Sequence, residues 1–155
     1  MLGIPDDAAW IWLGLTAVSA AMFGVVSGVH PAPPAADDAA ETVDEVAAGA
    51  HAAAAEMELD ATLVKLGSNR VGLRGRGGTA HASFAFGPVA PVRPQSDLSR
   101  VLDGRSPQSV FESPAAFQRA LRDARERPAT WRPAGPHLRV RRVSYGEVNG
   151  VLVGA

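Results

Sequence analysis

"HLRVRRVSY", residues 137–145, changes its hydrophobic parity halfway. Side chains along an extended chain point alternately to opposite faces. Leu138 and Val140 therefore share one face, and Val143 and Tyr145 take the other. A bulge near Arg141-Arg142 would reconcile the two sets within one half-buried strand. A second apolar stretch, "EVNGVLVG", follows after a short turn and is expected to form the last strand, over 147–153, closing a sheet.

Upstream of this pair, "SPAAFQRALRDARERP" (113–128) carries a helix signature. Serine at the cap and proline at the first helical position suit a helix start, because neither position needs an intrahelical N–H. Ala116, Phe117, Ala120, Leu121 and Ala124 recur on one face, while Arg119, Arg122, Arg125 and Glu126 are expected to be mostly solvated,. Pro128 stops the helix. A shorter helix capped by Ser96 or Asp97 is expected to end near Asp103-Gly104,. "GPVAPVRPQ" (87–95) has three prolines and cannot be a central strand,.

Residues 56–86 read as strands. Met57 and Leu59 alternate with Glu56 and Glu58, and Gly67-Ser68-Asn69 separates "ATLVKLG" from "NRVGLRG",. In "TAHASFAFG" the set Ala80, Ala82, Phe84 and Phe86 is expected inward, opposite Thr79, His81, Ser83 and Ala85,. "RGRGG" (74–78) resembles an RNA-binding arginine–glycine segment in miniature, but one copy between two strands reads as a hairpin turn,.

The N-terminal third has a different character. Ala8 to Val29 is 22 residues without a charged side chain. As a helix it would span about 33 Å, against about 30 Å for a bilayer's hydrocarbon core. Trp10 and Trp12 stand at one end, where indoles favour the membrane interface, and His30-Pro31 closes the other,. The leader "MLGIPDD" has no base, the apolar run exceeds a usual signal-peptide h-region, and no close cleavage site follows,. The expectation is a retained signal-anchor. Thr16, Ala20, Gly24 and Gly28 recur every four residues and would form a small-residue packing face for self-association or for other membrane components,.

Charge is divided sharply. Residues 1–60 hold ten acids and no Lys or Arg; residues 61–155 hold all fifteen bases against six acids. Either the acidic segment and the basic domain attract each other, within one chain or between neighbouring copies, the reading preferred here, or the basic domain meets an anionic partner. For the second case Arg132, Arg139, Arg141 and Arg142 are the candidate anion-binding residues,. Arginines on an edge strand also guard against aggregation, and that role is preferred for this cluster. Nucleic acid is an unfavoured partner, since only Trp131 and Tyr145 would be at hand to stack on bases,.

Catalysis and metal binding have no support in the sequence. The chain has no cysteine, and its four histidines, at 30, 51, 81 and 137, lack metal-ligand spacing,. No nucleophile elbow, phosphate-binding loop or dinucleotide fingerprint is present. No catalytic residue, metal ligand or cofactor is expected.

The segments "DDAAWIWLG", 41–92 ("ETVDEVAAGAHAAAAEMELDATLVKLGSNRVGLRGRGGTAHASFAFGPVAPV") and the terminal "VNGVLVGA" carry a resemblance. The chain is similar to uncharacterised haloarchaeal single-span membrane proteins associated with type IV pilus-like or tight-adherence secretion components. That resemblance implies a pilin-like or accessory cell-surface protein, with no catalytic residues.

The expected fold is α+β: an N-terminal transmembrane helix, a linker, then a small antiparallel sheet with one main helix. Residues 1–7 form a short tail, 8–29 the span, 30–55 a Pro/Ala-rich acidic linker with a possible short helix, and 56–155 the α+β domain. The expected function is that of a non-enzymatic, single-pass protein of the cell membrane, the bulk of its chain outside the cell, in a surface or secretion assembly. The alternative is a membrane-tethered basic domain that binds an anionic partner, nucleic acid or anionic lipid.

Overall fold

A computed structural model of the protein describes residues 31–50 and 52–155. Residues Ala32–Ala155 form one folded unit. It begins with helix α1 (Ala36–Ala48). Strands β1 (Ala54–Glu58), β2 (Leu63–Leu66), β3 (Arg70–Gly75), β4 (Gly78–Ser83) and β5 (Ala90–Pro91) follow. Helices α2 (Asp97–Leu102), α3 (Pro107–Val110) and α4 (Pro114–Glu126) lead to β6 (Arg132–Pro133), β7 (His137–Tyr145) and β8 (Val148–Gly154). The strands make two four-stranded sheets, with orders β1-β7-β8-β5 and β4-β3-β2-β6.

This corrects the expected fold class. The folded unit is α+β, but it has two sheets rather than one small one, and the β5–β8 pair is parallel. Two helices, α1 and α4, have 13 residues each. Among the described residues no helix is long and apolar enough to cross a membrane. The predicted span at 8–29 lies outside the described residues, together with Trp10, Trp12, Thr16, Ala20, Gly24 and Gly28.

Within the segment 30–55, read as a linker with a possible short helix, residues 36–48 form α1, which ends at Gly49 and belongs to the core. Ala36, Ala39, Ala40, Val43 and Val46 follow helical spacing and are buried,. They pack with Val64, Leu66, Val71 and Leu73 of the second sheet and Leu138, Val140 and Val153 of the first. Alanine and valine fit here because the sheets approach the helix closely. The same small residues suit a short helix in a linker equally well, so the sequence does not show that this helix enters the core.

Strand β7 holds the resolution of the parity change. Its register with β8 runs unbroken from Arg139↔Gly154 to Tyr145↔Val148, so there is no bulge at Arg141-Arg142. Both faces of the strand are covered. Leu138 and Val140 enter the core under α1. Val143 and Tyr145 belong to a second core with Leu98, Val101, Phe111, Phe117 and Leu121 from the helices. Burial of each large side chain there contributes about 1.5–3 kcal/mol. β7 is also interior, flanked by β1 and β8, so its arginines do not guard an edge.

Other elements match the local signals. Ser96 and Ser113 accept hydrogen bonds from Ser99 N–H and Ala116 N–H at the starts of α2 and α4. "RGRGG" forms the β3–β4 hairpin, with Gly75 opposite Gly78 and a positive φ at Gly78,. The proline-rich β5 lies at a sheet edge,. One local expectation fails: Phe84 is buried, but Phe86 is 57% exposed. β4 ends at Ser83, and the chain then turns so that the Ala85 and Phe86 N–H groups donate to the Asp44 carboxylate of α1, at 3.0 Å each.

Candidate anion-binding cleft

The outer face of the second sheet is built from a row of partners across three strands. Lys65 of β2 stands opposite Gly72 of β3, which stands opposite His81 of β4. The neighbouring β3 residues Val71 and Leu73 point into the core, so Arg70, Gly72 and Arg74 face outward,. Gly72 leaves the middle of the row without a side chain. A Cβ there would lie 2.7 Å from His81 Nδ1 and 3.1 Å from the Trp131 ring. His81 leans across the glycine toward Trp131, with ring centroids 5.8 Å apart. Arg74 covers the indole at 4.5 Å from its centroid and donates from Nε to Thr79 Oγ1,.

Beside this wall lies a cleft of about 430 Å³. Lys65 and Arg70 line it from the sheet, and Arg125 and Arg127 from the C-terminal end of α4 and the loop beyond. Among the described residues no carboxylate lines it. The β2–β3 turn at its rim is braced by backbone. Gly67 N–H donates to Arg70 O, Phe84 N–H to Asn69 O, and Val89 N–H to Ser68 O, at 2.8–3.0 Å.

The cations of the cleft have no carboxylate partner among the described residues. The ion pairs there join Arg100 to Asp97, Arg139 to Asp103, and His137 to Glu56. Arg125, expected on the solvated face of its helix, is half-buried, and its Nε is buried without a hydrogen-bond partner among the described residues. Burial lowers its pKa, because desolvation disfavours the charged form,. Arg132, a sequence candidate, is half-buried on β6, and its pKa is lowered by burial first and then by the charges of Arg93 and Arg127.

The other three sequence candidates stand elsewhere, with their donors engaged. Arg142 donates to Ala47 O at 2.6 Å and Gly49 O at 2.8 Å, at the C-terminal end of α1. That helix has no basic residue in its last turn, so Arg142 supplies the cation that its carbonyls favour,. Arg141, on the opposite face of β7, donates to Val101 O and Arg105 O at the end of α2. Arg139 pairs with Asp103. The sequence reading missed Lys65, Arg70, Arg125 and Arg127 as a group, because they lie on β2, β3, α4 and the loop after it, separated by up to 62 positions. One signal was present: Arg125 and Arg127 flank the helix end, where a stopped chain must fold back.

A second groove, of about 480 Å³, has opposite charge. Asp37, Glu41, Asp44 and Glu45 of α1 line it with the exposed Phe86. None of these acids pairs with an arginine or lysine among the described residues. The preferred explanation of the charge division, attraction between acidic segment and basic domain, therefore has no ion pair from α1 to rest on. Among the described residues no group of three His, Asp or Glu side chains is gathered to hold a metal ion.

A family model described as a family of unknown function, DUF7283, matches residues 3–143. No curated protein and no solved structure matches the chain.

Proposed function

The chain belongs to DUF7283, a family of unknown function, and from that premise we propose that it is a non-enzymatic, membrane-anchored protein serving as a pilin-like or accessory component of a cell-surface or secretion assembly. The uncharged run from Ala8 to Val29 carries this reading: 22 residues without a charge supply enough apolar surface for retention in a bilayer,. The surface role follows the resemblance to pilus-associated single-span proteins; the placement of the bulk of the chain outside the cell follows from the Pro/Ala-rich segment after the apolar run, which suits a domain held off a surface. The test is fractionation of the full chain bearing a C-terminal tag. The tag should pellet with membranes through an alkaline wash and be digested by protease added to intact cells. Recovery in the water-soluble fraction overturns the anchor. Crosslinked oligomers in the membrane, weakened by Gly24→Leu with Gly28→Leu, support the assembly role; a strictly monomeric protein indifferent to both counts against it.

A second reading is favoured by the basic cleft: a membrane-tethered domain that binds an anionic partner. Four cations line the cleft without a carboxylate partner among the described residues, and an anion would supply the countercharge,. Salt-sensitive affinity of the full chain for an anionic partner is its expected mark; indifference to every anion would remove it.

A further inference from the structure

We propose that the cleft between the β2–β3 turn and the end of α4 binds the phosphate group of a compact, soluble phosphate ester, held by Lys65, Arg70, Arg125 and Arg127. This rests on the anionic-partner reading and narrows it to one ligand class.

Charge comes first. Three guanidinium groups and an ammonium line one cleft with no acid among them. A single carboxylate carries one negative charge, whereas a phosphate monoester carries nearly two and offers three strong acceptor oxygens. Guanidinium forks match those oxygens in pairs, and the lysine ammonium adds a compact point charge.

The second observation is the buried Nε of Arg125, which has no hydrogen-bond partner among the described residues. A donor removed from water without a partner is costly, so the arginine that lines the cleft carries an unmet demand for an acceptor. The lowered pKa of Arg125 has the same origin in desolvation.

Size and surroundings separate a soluble ester from larger polyanions. About 430 Å³ is the scale of a small-molecule site,. Single-stranded nucleic acid needs a basic track with aromatic faces open for stacking. Here Arg74 covers a face of Trp131, and the ring edge is turned toward Gly72 and His81. A membrane surface would be met by an apolar side chain beside the headgroup site. The one exposed large hydrophobic residue among those described, Phe86, lines the acidic groove instead.

The full chain in detergent is titrated with inorganic phosphate, with acetate, with vesicles containing phosphatidic acid, and with a mixed-sequence single-stranded oligonucleotide. Phosphate should bind and raise the thermal midpoint, and acetate should not. Arg70→Gln with Arg127→Gln should weaken phosphate at least about tenfold. Arg119→Gln, on the exposed face of α4, should leave it unchanged. Circular dichroism confirms that the double variant is folded, and Lys65→Met provides an independent second variant. Phosphate binding that survives both cleft variants overturns the assignment. Salt-sensitive binding of oligonucleotide or vesicles without phosphate overturns the soluble ester and keeps the broader anion reading. Failure of every anion to bind overturns both.

Discussion

The arginines of β7 and the arginines of the cleft are the same side chain in two opposite situations. Arg142 and Arg141 leave the two faces of one strand, and each reaches the carbonyl end of a helix. Their charge is neutralised locally by backbone dipoles, so it holds layers together: α1 to one face of the sheet, α2 to the other. Arg70, Arg125 and Arg127 instead line a shared hollow. Helix carbonyls absorb positive charge as structure; a hollow lined by cations leaves it available to a ligand. Arginine count and local density in the sequence do not separate the two cases, since the dense cluster at 139–142 is the structural one.

The largest expected effect tests the structural half. Arg142→Ala removes two part-buried hydrogen bonds to carbonyls, each worth about 1.5–3 kcal/mol when the donor is charged, and should destabilise the fold by about 3 kcal/mol in denaturant titration,. A loss near zero would mean that α1 does not depend on this cap. Arg141→Ala should cost about 2 kcal/mol by the same measurement, because one of its two contacts is exposed,. Arg139→Ala removes an exposed ion pair with Asp103 and should cost at most about 1 kcal/mol, less in high salt,. Smallest of all is Arg127→Gln in the cleft, expected to change stability by no more than about 0.5 kcal/mol. Its sign sharpens the comparison. Stabilisation at low salt that fades as salt is added would identify repulsion among unpaired cations. A clear destabilisation would instead place Arg127 with the β7 arginines.

Legibility followed the range of the interaction. The Ser113-Pro114 start of α4, the "RGRGG" hairpin and the exclusion of the proline-rich 87–95 from a central strand depend on residues within a few positions of each other, and all three were readable. The status of 36–48 was not. Its alanines suit a stalk as well as a closely packed helix, and the decision lies with Val71, Leu138 and Val153, far along the chain. Phe86 failed for a related reason: the strand pattern continues through it, while Asp44 captures the backbone at residues 85 and 86 and turns the side chain out. The cleft was invisible because no stretch of sequence contains more than two of its four cations.

By itself the sequence determined the strand-rich stretch 56–83, the two helices capped by Ser96 and Ser113, the two final strands, the uncharged N-terminal run and the division of charge. Only the tertiary structure decided that β7 is covered on both faces, that residues 36–48 belong to the core, and which cations face a cleft. The physical reason is that caps, turns and alternation are settled by neighbours in the chain. Whether a face is buried, or a charge neutralised, is settled by whatever the rest of the chain places against it.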